Sequence, residues 1–220
     1  SMAPLRDANA RVTGAVAIVS DITEEKRLTR ERAVFAQLGL QLAQADTPEA
    51  MAEPLARAAD ELLHFDAFYF DEREPGRDYY RFVIAYDLID GQRRDVTHTM
   101  IRTTKAYGKL GQLLEGEPYL LNRDQTDEPK MLPFGDVARR SASLLYAPII
   151  LGNELCGVIS VQSYQPFRYT ERDRDLLKSI ADLVAAPLRR AQAEVALRKS
   201  EATNRALLEA IPDMIFVLDK

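Results

Sequence analysis

The sequence predicts an α+β domain, an antiparallel sheet of about five to six strands with long helices at both ends packed on one face. Three observations lead there. Residues 144–151 are apolar throughout, Gly152-Asn153 is a two-residue hairpin turn, and residues 154–163 return as a second strand. Residues 65–70 and 79–86 are aromatic-rich runs separated by a turn at 74–77, the pattern of an antiparallel pair. Helical segments with apolar stripes flank these strands.

Taken in chain order, residues 11–23 carry β-branched side chains around Gly14 and read as a strand with no partner of its own. From Glu24 the composition turns charged and helix-favouring. Leu28, Phe35, Leu38 and Leu42 then fall on one heptad frame, so a long amphipathic helix runs to Ala45. Thr47 is a good N-cap for a second helix, Pro48 suits its first position, and Met51, Leu55, Ala58, Leu62 and Leu63 form its stripe. A third strand is expected at 96–101, a short helix at 105–115, a short strand at 117–121 and a polar loop at 122–133. The irregular stretch 105–143 is the expected binding region, since binding residues gather on loops over a rigid sheet. Pro148 predicts an edge or a bulge within its strand. On the strand that follows, Leu155, Gly157, Ile159 and Val161 share one face; Cys156, Val158, Ser160 and Gln162 share the other. Thr170 and Asp173 make a capping box for a last helix that continues, kinked, through Pro187 to residue 205. Residues 207–219 read as a helix end and then a strand without its sheet.

Composition removes several function classes. The formal net charge of -5 argues against a nucleic-acid binder, whose footprint is a basic face. No apolar run reaches the length of a membrane span, so no membrane contact is expected and the expected location is the cytoplasm. The single cysteine excludes an internal disulfide, and Cys156, in mid-strand, reads as a small packed residue. His64 and His98 lack a further ligand at metal-binding spacing, so no metal is expected.

Residues 143–188 resemble the C-terminal half of GAF domains: Ser143-Leu-Leu-Tyr-Ala-Pro-Ile, then Gly152-Asn-Glu-Leu-Cys-Gly-Val-Ile-Ser-Val, then Phe167-Arg-Tyr-Thr-Glu-Arg-Asp and its helix. The ends are similar to pieces of PAS domains. Gly14-Ala-Val-Ala-Ile-Val-Ser-Asp-Ile-Thr resembles a closing strand and exit, and Ile211-Pro-Asp-Met-Ile-Phe-Val-Leu-Asp an opening. The resemblance implies a PAS remnant at 1–23, a GAF domain at 24–195, and a linker helix with the start of a second PAS domain at 196–220. It implies a bacterial PAS–GAF–PAS signalling protein, a sensor histidine kinase or a cyclic-dinucleotide enzyme, whose output lies outside this chain.

The fragment itself is expected to be a non-catalytic sensory domain. Methionine sulfoxide reduction, known in the family, needs a second cysteine, and no cofactor is expected, covalent bilin included. Asn122-Arg123 and Phe134-Gly-Asp136 echo in part the cyclic-nucleotide-binding pattern of the family. Two main readings follow. In one, an unknown small molecule sits among Phe82, Ile84, Tyr86, Tyr107, Tyr119, Phe134 and Tyr146, with Ser160 and Gln162 as polar handles. In the other, the domain is a ligand-free spacer. Both readings expect a parallel homodimer through Leu28, Phe35, Leu38, Leu42, Ile180, Val184, Ala191 and Val195.

Overall fold

The computed structural model describes residues 2–17, 21–73, 80–99, 116–124 and 139–210. It comprises two units, residues 1–34 and 35–220. In the first, β1 (Met2–Arg6) pairs antiparallel with β2 (Val12–Ala17). The Asp7 carboxylate closes the turn, accepting the amides of Asn9 and Arg11 at 2.9 Å each. The strand expected to stand alone therefore has a partner. Five residues containing Pro4 show too little alternation to be read as a strand, and the turn at Asp7 supplies what periodicity does not. Helix α1 (Thr23–Gln44) follows, its first amide held by Asp21 at 2.9 Å.

The second unit holds the end of α1, then α2 (Pro48–Leu63), β3 (Ala67–Arg73), β4 (Tyr80–Ile89), β5 (Gln92–Asp95), β6 (Tyr119–Asn122), β7 (Ser143–Leu151), β8 (Glu154–Ser163) and α3 (Glu171–Ala210). Six strands form one antiparallel sheet in the order β5-β4-β3-β8-β7-β6, as the fold class predicts. The third strand comes earlier than 96–101. Asp90 (φ 52°) and Gly91 (φ 74°) make a hairpin turn directly after β4, a signal stronger than the β-branched run that follows it. Val96 begins a short 3-10 turn at Thr97–Thr99 instead. The expected helix at 105–115, most of the loop at 122–133 and the strand after 211 lie outside the described residues.

Local chemistry explains the remaining boundaries. The Thr47 hydroxyl accepts the Ala50 amide at 3.2 Å, and Thr170 and Asp173 cap α3 reciprocally, at 2.8 and 3.3 Å. Pro148 sits where β7 is paired only by β8, because β6 reaches no further than Tyr146; its missing N–H points to the unpaired side. Helices α2 and α3 cover one sheet face, burying Met51, Leu55, Leu177, Ile180 and Val184 over Phe68, Phe70, Leu145 and Ile159, and Leu38 and Leu42 of α1 are buried as well. Each such side chain stabilises the fold by roughly 1.5–3 kcal/mol.

One glycine is required by close packing. A Cβ on Gly157 would stand 2.2 Å from the Asp71 carbonyl oxygen in the neighbouring strand, which cannot move without breaking the ladder. Gly157→Ala should cost about 3 kcal/mol in urea unfolding; a loss under about 0.5 kcal/mol would contradict this packing.

Candidate functional site

The face of the sheet away from the helices carries a row of aromatic and polar side chains. Register places Tyr119 of β6, Tyr146 of β7, Ser160 of β8 and Tyr69 of β3 side by side. Behind them lie Leu121, Leu144 and Gln162. The Gln162 amide donates to the Ser160 hydroxyl at 3.2 Å. Tyr69 meets Phe82 edge-on, 5.4 Å between centroids, and Tyr146 at 6.3 Å. Burial pushes the Tyr146 phenol up from its ordinary value, against the pull of Arg123 and of hydrogen bonds from Ser160 and Tyr69, so it is a neutral group at physiological pH. Beyond Gln162 the row ends in charge: the Tyr164 hydroxyl donates to buried Asp87 at 2.5 Å, and Arg139 stacks 4.1 Å over the Tyr164 ring.

Of the sequence-predicted pocket residues, Phe82, Tyr119, Tyr146, Ser160 and Gln162 meet on this face. Ile84 and Tyr86 do not. Phe70 pairs with Ile84 but Asp71 with Phe82, so Val83 is a bulged extra residue and the two halves of β4 present opposite alternations. Simple alternation put all three on one face; the bulge sends Ile84 and Tyr86 to the helix side, where the Tyr86 hydroxyl donates to Glu53 of α2 at 2.9 Å. Tyr107 and Phe134 lie outside the described residues, as does Phe134-Gly-Asp136 of the nucleotide-like pattern. Tyr69 and Tyr80 are not singled out by sequence, although Tyr69 packs against both Phe82 and Tyr146. Its place opposite Ser160 follows only from the β3–β8 pairing, which joins segments far apart in the chain.

The residues assigned to a dimer interface also need correction. Leu38, Leu42, Ile180, Val184 and Ala191 are buried within the single chain and offer no surface to a partner. Their heptad spacing records packing within the chain. Phe35 is half-buried, while Leu28 and Val195 are exposed.

A second constellation joins the sheet to α3. The Glu72 carboxylate, only 7% exposed, lies on the helix side of β3 and accepts from Arg81 of β4, through Nε at 2.9 Å and through Nη2. Arg81 Nη1 also donates to Glu49 of α2 at 2.6 Å. Burial disfavours the Arg81 charge, yet Glu72 and Glu49 outweigh it and hold the guanidinium above its usual range. From α3, the Gln192 amide nitrogen donates to Glu72 Oε2 at 3.0 Å and to the Arg73 carbonyl at 3.1 Å. Two residues earlier, Arg190 Nη2 reaches the carbonyls of Leu42, Ala43 and Ala45 at 3.2, 2.9 and 2.8 Å, satisfying the terminal acceptors of α1. Gln192 is the last buried residue of α3; Ala193 to Glu209 are all exposed.

No nucleophile is activated in either place. Burial raises the Cys156 thiol, which donates to the Glu154 carbonyl at 3.5 Å. Among the described residues no group of His, Cys, Asp and Glu is arranged to hold a metal ion, and no helix is long and apolar enough to cross a membrane.

Six antiparallel strands with helices on one face and a hydroxyl-bearing aromatic row on the other define an α+β fold of the GAF-like kind. Residues 45–188 match the family model described as GAF domain, and the chain belongs to that family, whose members are regulatory sensory domains. No curated protein matches the chain. Its fold is shared with the GAF domain from a phosphoenolpyruvate-protein phosphotransferase of Coxiella burnetii, at 18% identity and TM-score 0.61, covering 76% of this chain and 98% of that one. It is shared also with a free methionine-R-sulfoxide reductase from Neisseria meningitidis, at 15% and 0.55, covering 81% and 96%. A third likeness is a segment of a methyl-accepting chemotaxis protein, at 17% and 0.52, covering 73% and 99%.

Tyr86 provides a titration signature. Burial first, and then its bond to Glu53, push its phenol up to about 12. A raised folded value means the native state keeps its proton longer than the unfolded chain. The associated stability is therefore intact below pH ~10 and lost as pH rises toward 12. Tyr86→Phe should flatten the fall of unfolding free energy with pH across that window, measured by urea titration; an unchanged slope would contradict the burial of this hydroxyl.

Proposed function

We propose that this GAF domain senses a small molecule over the Tyr69–Tyr119–Tyr146 face and passes the bound state through α3 to an output module elsewhere in a longer bacterial signalling protein. It works in the cytoplasm as a parallel homodimer, between PAS domains of which residues 1–23 close one and residues after 196 lead into the next. The β1–β2 hairpin supports the first assignment, since a closing strand needs an antiparallel neighbour. The output is a kinase, a cyclase or a phosphodiesterase.

The observation that carries this reading is the junction at Arg190 and Gln192. Within one turn of α3, one side chain grips the end of α1 and the other grips β3 beside the Arg81 salt bridge. Tyr69 and Glu72 lie three residues apart on β3, so a ligand that displaces the aromatic row acts on the same strand that holds α3. The shift needs only that the ligand bind one packing of that strand better than another.

The helical relay has a direct test. One residue inserted after Leu197 turns everything beyond it by about 100°. In the longer protein this should change basal output and abolish its response; unaltered regulation would contradict the relay. The buried Tyr146 and Ser160 favour a second reading, a closed face in a ligand-free spacer. A thermal-shift screen against cyclic nucleotides, amino acids and aromatic metabolites separates the two. The sensory reading expects a compound that, at 100 times its dissociation constant, stabilises the fold by about 2.7 kcal/mol, with the gain lost in Gln162→Leu; the spacer reading expects none.

A further inference from the structure

Followed along its strands, the aromatic face of the sheet changes character at one end. Alternation on β6 carries Tyr119 and Leu121 on to Arg123, and on β8 it carries Ser160 and Gln162 on to Tyr164. The ladder continues past the strand ends: the Arg123 amide donates to the Ala142 carbonyl at 3.0 Å, and the Ala142 amide to the Ser163 carbonyl at 2.8 Å. Arg123 and Tyr164 therefore stand on either side of Ala142, two strand spacings or about 10 Å apart. The residue between them carries only a methyl group.

The Arg123 guanidinium is half-buried and held in place. Its Nε and Nη2 both donate to the Ser141 carbonyl, at 2.9 and 2.6 Å, and among the described residues its Nη1 makes no bond. Arg139 brings a second guanidinium to the same end, over the Tyr164 ring. The carboxylates of this face are fully buried and engaged, Asp71 by the Val158 amide at 2.8 Å, Asp87 by the Tyr164 hydroxyl and the Leu88 amide at 2.5 and 2.7 Å. Donors are in surplus further along the row as well. The Tyr146 phenol accepts from the Ser160 and Tyr69 hydroxyls, so its own O–H is left to donate. A cationic guest would meet two guanidinium groups and carboxylates already engaged. An anionic acceptor would meet a preorganised fork and a phenol, with ring faces beside them.

We propose that the ligand of this face is a small aromatic carboxylate, its ring against Tyr119, Leu121 and Tyr146 and its carboxylate on Arg123, with Arg139 adding positive charge at the rim. This rests on the sensory reading above and names its ligand class. Two residues of strand, about 7 Å, separate Leu121 from Tyr119 on one side and from Arg123 on the other. A ring and a carboxylate joined by a short carbon spacer span that interval.

Probes that share one ring and differ in the head group test it on the full 220-residue chain. Phenylacetate, phenylacetamide and 2-phenylethylamine are titrated at neutral pH against the backbone amide signals of Leu121, Tyr146 and Gln162 by NMR. Phenylacetate should bind at least about tenfold tighter than phenylacetamide, the margin of a charge-assisted hydrogen bond over a neutral one, and the amine should not bind. Arg123→Gln should erase that margin and leave the affinity for phenylacetamide as it was. Arg139→Gln, at an exposed position, should reduce the margin about threefold, and it keeps the test decisive if Arg123→Gln does not fold. Equal affinities for acid and amide, or tighter binding of the amine, would overturn the carboxylate and leave sensing on this face standing. Phenylacetate binding that moves other signals only, or that both variants retain in full, would overturn the site. No binding of any of the three probes would overturn the ligand class; an empty result in the broader thermal-shift screen as well would overturn the sensory reading with it.

Discussion

A carboxylate nearly sealed from water, that of Glu72, ties together four elements of this domain. It neutralises Arg81 of β4, which reaches on to Glu49 of α2, and it receives the Gln192 amide from α3. A buried charge is costly unless it is paired and hydrogen-bonded, and removing one partner of such a pair costs about 3–5 kcal/mol. The sheet, the second helix and the outgoing helix therefore cannot shift independently at this point. The Gln192 amide is also oriented by it, since the reversed amide would set a carbonyl oxygen against the carboxylate.

The two sheet faces are consequently unlike in chemistry. The helix side is an apolar core with that charged knot at its edge. The other side carries hydroxyls, an amide and a terminal Asp87–Tyr164–Arg139 cluster, more polar than packing requires. The bulge at Val83 maintains the division. Without the extra residue, Phe82 would turn under the helices, and Tyr69 would lose its edge-on neighbour.

Much of the fold was legible because its elements announce themselves locally. The Gly152-Asn153 turn between two apolar runs, the Thr47 cap followed by Pro48, and the Thr170–Asp173 box are short-range chemistry that survives in any context. Asp90-Gly91 is equally local, and the expectation of a strand at 96–101 passes over it. The site was less legible, for two physical reasons. A bulge reverses alternation without leaving a mark in composition, which separated Ile84 and Tyr86 from Phe82. And a heptad pattern cannot say whether its apolar side meets its own chain or another: Ile180 and Val184 are buried within this one. Arg190 and Gln192 looked like ordinary helix-surface residues because their partners, in α1 and β3, are more than a hundred residues away.

The central claim is that Gln192 holds α3 to the sheet through Glu72. Hydrogen–deuterium exchange on the chain carrying Gln192→Leu tests it most directly, since leucine keeps the bulk and removes both donated bonds. Amides from about residue 189 to 205 should exchange about tenfold faster, while β3, β8 and the first half of α3 stay protected as before. Unchanged exchange in α3, or a uniform rise across the whole domain, would contradict a specific tether.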